Sequence, residues 1–199
     1  MLTKDDLLLP LLDLRTDEVV VTSMGVVRPW GRISDHDLDF ASADSAMGHT
    51  ADLSLGIAIA QPQRKVICLN GDGSMLMTLG TLATIVESGA DNLVLFVVEN
   101  RTYEITGNQA VPGGDAINWP EVAHGMGFRR IYAFDDPREY REKLPEVIAG
   151  AGPVFVCARV EHGTEGPISR SPPEESRYLQ TPMAEWSQDF RRAITNRDA

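Results

Sequence analysis

Four stretches of the chain are apolar with almost no polar interruption, at 19–22 (VVVT), 66–69 (VICL), 93–98 (LVLFVV) and 154–160 (VFVCARV), and a shorter one lies at 130–133 (RIYA). Continuous β-branched and aromatic runs, as opposed to an apolar/polar alternation, are what a strand buried on both faces requires. Between them, 48–60, 75–88, 119–126 and 137–149 carry apolar residues at helical spacing and end near Gly or Pro. Strands and helices alternating in this way predict an α/β fold in three layers, a mostly parallel central sheet with helices on both faces. From 163 to 182 the chain turns to Gly, Pro, Ser and Glu, and a final amphipathic stretch covers 183–194. The expected organisation is a domain over 1–162 followed by an arm and helix over 163–199, with no internal repeat.

Composition narrows the function classes. The 199 residues carry 18 Lys and Arg against 29 Asp and Glu, a formal charge of −11, with 43% hydrophobic residues. That is enough to build a core, and an acidic surface argues against a nucleic-acid partner, which needs clustered Lys and Arg. The opening MLTKDDLLLPLLDLRTD carries Pro10 inside its apolar stretch and Asp5, Asp6 and Asp13 around it, where a signal peptide has basic flanks. No stretch approaches the ~20 apolar residues that cross a bilayer, so a soluble, cytoplasmic protein without a membrane partner is expected. Cys68 and Cys157 lie inside apolar runs and read as buried thiols. Two sulfurs cannot build a four-thiolate cluster, which counts against an iron–sulfur oxidoreductase subunit.

The segment that carries chemistry is a buried strand running straight into Gly71-Asp72-Gly73-Ser74 and then a helix. Glycines remove the Cβ atoms that block close approach, and the N–H groups of a first helical turn favour an anion. Asp72 would repel a phosphate directly, so its presence makes sense with a divalent cation between the two, and Mg²⁺ suits both. The strand at 93–98 should end at the same sheet edge, where Asn100 can supply an amide oxygen to that ion. A dinucleotide-binding loop would need a third glycine, and Leu76 stands in its place.

Gly71-Asp72-Gly73, followed after residues 74–98 by Glu99-Asn100, resembles the diphosphate-and-metal motif of thiamine diphosphate enzymes, with Glu99 replacing the first asparagine of the family pattern. Segments 22–25, Ala46-Met47-Gly48-His49 and Tyr103-Glu104-Ile105-Thr106-Gly107 stand in the order and spacing of phosphonopyruvate and sulfopyruvate decarboxylases, over roughly residues 19–160. The resemblance implies the thiamine diphosphate-binding fold, with thiamine diphosphate and Mg²⁺ as cofactors. It implies that Asp72 and Asn100 bind the metal through side chains and Thr102 through its backbone carbonyl. Gly73 and Ser74 would offer N–H groups to the diphosphate, and Gly25, Gly48, Gly71 and Tyr103 would complete the cofactor site. Met47 would wedge between the cofactor's two rings, bringing the reacting groups together.

Three residues are candidates for the chemistry itself. His49 would begin a helix beneath the cofactor, as an acid or anion contact or simply as a helix cap. Glu104 and Thr106 lie just beyond the metal loop, facing the reacting carbon or forming a solvated loop. Arg28 and Arg32 follow the first strand and could hold a substrate anion or lie on the surface, whereas His36, His124 and His162 lack metal-site spacing.

The family also uses a glutamate in a second, pyrimidine-binding domain for which this chain has no room. The resemblance therefore implies a separate pyrimidine-binding (alpha) subunit in a hetero-oligomer and a small 2-oxo-acid substrate, decarboxylated to an aldehyde. Alternatives are a carboligase subunit, or a non-catalytic assembly subunit that keeps the cofactor loop. The arm, with Arg170, Arg177 and Trp186, is expected to fold over the partner or the site, or else to be a flexible tail.

Overall fold

The computed structural model describes residues 1–41, 47–166, 174 and 176–195. Its strands are β1 (Val19–Thr22), β2 (Asp39–Ala41), β3 (Val66–Gly71), β4 (Leu93–Glu99), β5 (Thr102–Tyr103), β6 (Gln109–Ala110), β7 (Arg130–Phe134) and β8 (Val154–Arg159). Six of them form one parallel sheet in the order β2-β1-β3-β4-β8-β7, while β5 and β6 make a small antiparallel ribbon. β1, β3, β4 and β8 are almost wholly buried, which is why their sequences lack alternation.

Helices α1 (Lys4–Leu14), α2 (Met24–Ile33), α3 (Thr50–Ala60), α4 (Asp72–Met77), α5 (Thr81–Ser88), α6 (Trp119–Gly125), α7 (Pro137–Ala149), α8 (Arg177–Gln180) and α9 (Met183–Thr195) complete the layers. One core packs α1, α2 and α7 on one sheet face, and a second packs α3, α5 and α6 on the other. Local signals set several ends: Asp136 caps α7 ahead of Pro137, Asn118 caps α6, and Gly89 closes α5 in the left-handed conformation.

The edge strand β2 and the β5–β6 ribbon have no counterpart in the sequence reading, and three helical segments of the core also differ from it. The opening segment is helix α1, closed by a reciprocal capping box between Thr3 and Asp6, and Leu7, Leu8 and Leu11 sit in the first core. Met24–Ile33 is helical despite Pro29, and its Trp30 is fully buried. The helix expected over 75–88 is two short helices separated at 78–80, where Thr78 and Gly80 end one and begin the next. With α4 only 6 residues long, the anion-binding helix terminus expected there is reduced to a turn and a half.

The arm folds back on its own chain. In α9, Trp186 donates from Nε1 to the Asp39 carbonyl at 3.0 Å, Phe190 meets Phe40 edge-on at 4.9 Å, and Ile194 reaches the second core. Arg177 pairs with Asp35 and Asp37 and lies over the Trp186 ring, so α8 and α9 close the β2 edge of the sheet. Arg170 lies outside the described residues. Beneath this cover, the buried Asp39 carboxylate accepts from Arg15, Trp30 Nε1 and Ser34. Trp186→Ala should therefore cost about 3–5 kcal/mol, the range for deleting a large buried aromatic, in urea unfolding. Unchanged stability would mean that α9 does not dock on the β2 edge.

Candidate active site

Parallel strands present their carboxyl ends at one edge, and the β3–β4 register decides what meets there. Gly71 lies opposite Val98, so Asp72 emerges beside residues 99–102. Asp72 is 2% exposed. Its Oδ1 accepts the Gly73 N–H at 2.8 Å and its Oδ2 the Arg101 N–H at 2.7 Å. Arg101 aims that N–H from a left-handed backbone, φ 60°, and its side chain is tied to Glu99 at 2.9 Å and Asp115 at 2.8 Å. Burial pushes the Asp72 carboxyl up to about 6, against the two N–H donors, and the charge of Glu99 adds to the rise.

Asn100 stands next to it. Its Oδ1 accepts the Thr102 N–H at 3.1 Å and its Nδ2 donates to Glu104 Oε2 at 3.2 Å. One buried carboxylate that no side-chain cation neutralises among the described residues, beside one carboxamide oxygen, is a donor set that fits a small hard cation such as Mg²⁺. Among the described residues no three His, Cys, Asp or Glu side chains gather as a metal cluster. The other oxygens of a coordination sphere would come from backbone and ligand.

These groups border a largely apolar cavity of about 170 Å³. Every candidate cofactor or catalytic residue named from the sequence lines it except Gly48 and His49. Gly48 lies behind the wall: its N–H donates to Ser74 Oγ at 3.0 Å, and its φ of +94° strains any side chain there. Thr78 Oγ1 holds the Gly48 carbonyl, and the turn swings His49 outward. His49 therefore does not lie beneath the cavity. Its side chain is 67% exposed, paired with Asp52 at 2.8 Å, and it borders a groove between α3 and α9.

The Gly73 N–H, expected at a diphosphate, is turned onto the Asp72 carboxylate of its own loop. The Tyr103 ring lies so close over Gly73 that a Cβ could not be added without moving it. Thr106, exposed at the rim, donates to Gln109 Oε1 at 2.7 Å. Arg28 is paired with Glu174 and Arg32 with Glu165, so the arm engages both guanidinium groups.

Glu104 is 4% exposed and accepts from Lys4 Nζ at 2.7 Å and the Glu165 N–H at 3.0 Å. Burial would raise its carboxyl, but the Lys4 ammonium and the backbone N–H groups of Glu165 and Gly163 together hold it below its ordinary value. Two polar residues that the sequence did not single out also line the cavity. Lys4 arrives from α1, and no local signal ties it to Glu104 across the length of the chain. Ser23 Oγ accepts the Gly71 N–H at 2.9 Å and fixes the start of the loop; a serine before a helix reads as an ordinary cap. Cys68 and Cys157 are buried free thiols, with Cys68 pushed up to about 12 by burial, and Cys157 Sγ donates to Glu99.

Fold and site together form a partly enclosed pocket at the carboxyl edge of a parallel sheet, the place where open α/β sheets bind ligands. The family model described as "Thiamine pyrophosphate enzyme, C-terminal TPP binding domain" matches residues 35–158. The phosphonopyruvate decarboxylase of Streptomyces viridochromogenes is 32% identical over 182 residues, 87% of this chain and 45% of that protein. The sulfopyruvate decarboxylase subunit beta of Methanothermobacter thermautotrophicus is 36% identical over 148 residues, 74% of this chain and 76% of that subunit. The chain thus spans under half of the first of these relatives and about three quarters of the second. Among solved structures, the thiamine diphosphate-dependent 4-hydroxybenzoylformate decarboxylase of Rhodococcus jostii has the same fold, with a TM-score of 0.70 at 19% identity over 82% of this chain and 33% of that one. The chain belongs to the thiamine diphosphate-dependent decarboxylase family, as its C-terminal cofactor-binding domain.

The packing of Tyr103 on Gly73 gives a direct check. Gly73→Ala should destabilise the chain by about 1–3 kcal/mol, the usual cost of overpacking, and Tyr103→Ala in that background should recover part of it. Additive losses in a denaturation double-mutant cycle would show that the two do not touch.

Proposed function

We propose that the chain is the diphosphate- and Mg²⁺-binding subunit of a two-subunit, thiamine diphosphate-dependent enzyme that decarboxylates a small anionic 2-oxo acid, of phosphonopyruvate or sulfopyruvate type, to an aldehyde. The observation that carries this reading is the Asp72 carboxylate, buried at the carboxyl edge of the sheet beside the Asn100 amide, with no side-chain cation among the described residues to balance it. Asp72 and Asn100 would hold Mg²⁺ through their side-chain oxygens and Thr102 through its carbonyl, and the ion would in turn hold the diphosphate. Bound thiamine diphosphate supplies an electron sink for the bonding pair left behind when CO₂ departs. Met47, at the cavity wall, would keep the cofactor bent, and the apolar lining would exclude water from the reacting atoms. Of the residues expected to face the reacting carbon, Thr106 and Glu104 line this cavity, with Thr106 exposed at its rim.

The need for a partner is supported by size. Small-molecule pockets enclose ~300–1,000 Å³, and the cavity of about 170 Å³ encloses only part of one. The chain spans 45% of one relative, and others carry the name "subunit beta". A second polypeptide with the pyrimidine-binding domain would close the site and bring its glutamate.

The test uses the chain purified with its co-purifying subunit. In calorimetric titration with thiamine diphosphate and Mg²⁺, Asp72→Ala should weaken binding by more than about 100-fold, beyond the ~10–100-fold that changes outside the ligand shell cost. Unchanged affinity would defeat the metal assignment. The loaded complex should release CO₂ from phosphonopyruvate or sulfopyruvate, and a cofactor-loaded complex that releases none from either would contradict the substrate reading.

A further inference from the structure

Glu104 draws together three distant parts of the chain. Lys4 reaches it from α1 at 2.7 Å, Asn100 from the end of β4 at 3.2 Å, and the Glu165 N–H from the arm at 3.0 Å. Its side chain is 1% exposed. So enclosed a carboxylate, held by an ammonium, an amide and backbone N–H groups, has its oxygens committed to donors of its own chain.

We infer that Glu104 is a positioning residue for Asn100: its carboxylate fixes the Asn100 amide so that the oxygen, and not the nitrogen, is the atom offered to a cation. The reason is the polarity of the two neighbours. An ionised carboxylate only accepts hydrogen bonds and a backbone N–H only donates. With Glu104 on one side and the Thr102 N–H on the other, the amide has one satisfied orientation, Nδ2 toward Glu104 and Oδ1 toward Thr102. Oδ1 retains a lone pair for a metal ion. A flip would set Oδ1 against the carboxylate and Nδ2 against the N–H, losing both bonds.

The two ends of the chain hold Glu104 in turn. Lys4 balances its charge, and the arm passes so close that a Cβ on Gly163 would lie 2.5 Å from Glu104 Oε1. Gly163 does not border the cavity. The arm is thereby coupled to the cation loop through one side chain.

The inference rests on Asn100 being a cation ligand, so the experiment separates the two claims. Mg²⁺ is titrated by calorimetry into the full chain, purified with its co-purifying subunit and saturated with thiamine diphosphate, and thermal unfolding without ligand is followed in parallel. Glu104→Gln should weaken Mg²⁺ binding about 10–100-fold, the usual effect of removing a partner that orients a ligand. The exchanged pair Asn100→Asp with Glu104→Gln restores an amide-to-carboxylate hydrogen bond and keeps an oxygen for the metal, so it should bind more tightly than Glu104→Gln alone. Asn100→Asp alone measures the gain that the added charge brings, and a purely structural role for Glu104 predicts no gain in the pair beyond it. Gly163→Ala, which forces the carboxylate to move from outside the cavity, should also weaken Mg²⁺ binding, and it decides the matter if Glu104→Gln fails to fold. Wild-type affinity in Glu104→Gln, or in Gly163→Ala when that variant decides, would overturn the inference while leaving the metal site standing. Absence of Mg²⁺ binding in the unaltered complex would overturn both.

Discussion

A carboxylate buried at the carboxyl edge of a parallel sheet is the constraint around which this chain is arranged. The β3–β4 register places Asp72 directly beside residues 99–102, and burial raises its carboxyl to about 6. Removing an ionised carboxylate from water is costly unless partners replace the lost solvation. Two backbone N–H groups do part of that, and one of them comes from Arg101, held in a left-handed conformation and anchored through Glu99 and Asp115. Glu99, which replaces the first asparagine of the family motif, is bound by Arg101, Arg159 and Cys157, and its charge adds to the rise of the Asp72 carboxyl. Among the described residues no side-chain cation balances the charge of Asp72, and a divalent cation would.

The cavity is small, its lining is mostly apolar, and the residues around it come from both ends of the chain as well as from the sheet edge. Lys4 and residues 163–166 of the arm hold Glu104, which holds the Asn100 amide. That makes α1 and residues 163–166 part of the site's support. It also explains why Arg28 and Arg32, attractive as substrate clamps in the sequence, are spent on Glu174 and Glu165 of the arm.

The parallel sheet and the Asp72–Asn100 pair were legible because both rest on local patterns. Unbroken apolar runs mark strands buried on both faces, and a glycine–aspartate turn after one strand with an asparagine after the next marks a shared edge. Helix 137–149 was readable to the residue because Asp136, Pro137 and the following Gly150 punctuate it. What escaped depends on pairs remote in sequence. Helix α1 is stabilised by its landing on α7, which no periodicity near Lys4 announces, and Pro10 inside it argues locally against a helix. His49 was expected beneath the cavity because it precedes a helix, but its direction is set by Ser74 and Thr78 gripping Gly48, contacts made by a different helix and its end. The break at 78–80 follows from the same grip, since Thr78 leaves the helix to bond the Gly48 carbonyl. Glu104 was recognised as a site residue, but its partners Lys4 and Glu165 are far away in the chain, and they decide that its oxygens turn inward.

The most direct test of the central claim is a crystal structure of the complex grown with thiamine diphosphate and Mg²⁺. The account predicts a cation about 2.0–2.1 Å from a carboxylate oxygen of Asp72 and from Oδ1 of Asn100, the usual Mg²⁺–oxygen distance, with the diphosphate on its far side. A diphosphate bound elsewhere, or held in this cavity with no cation touching Asp72, would contradict it.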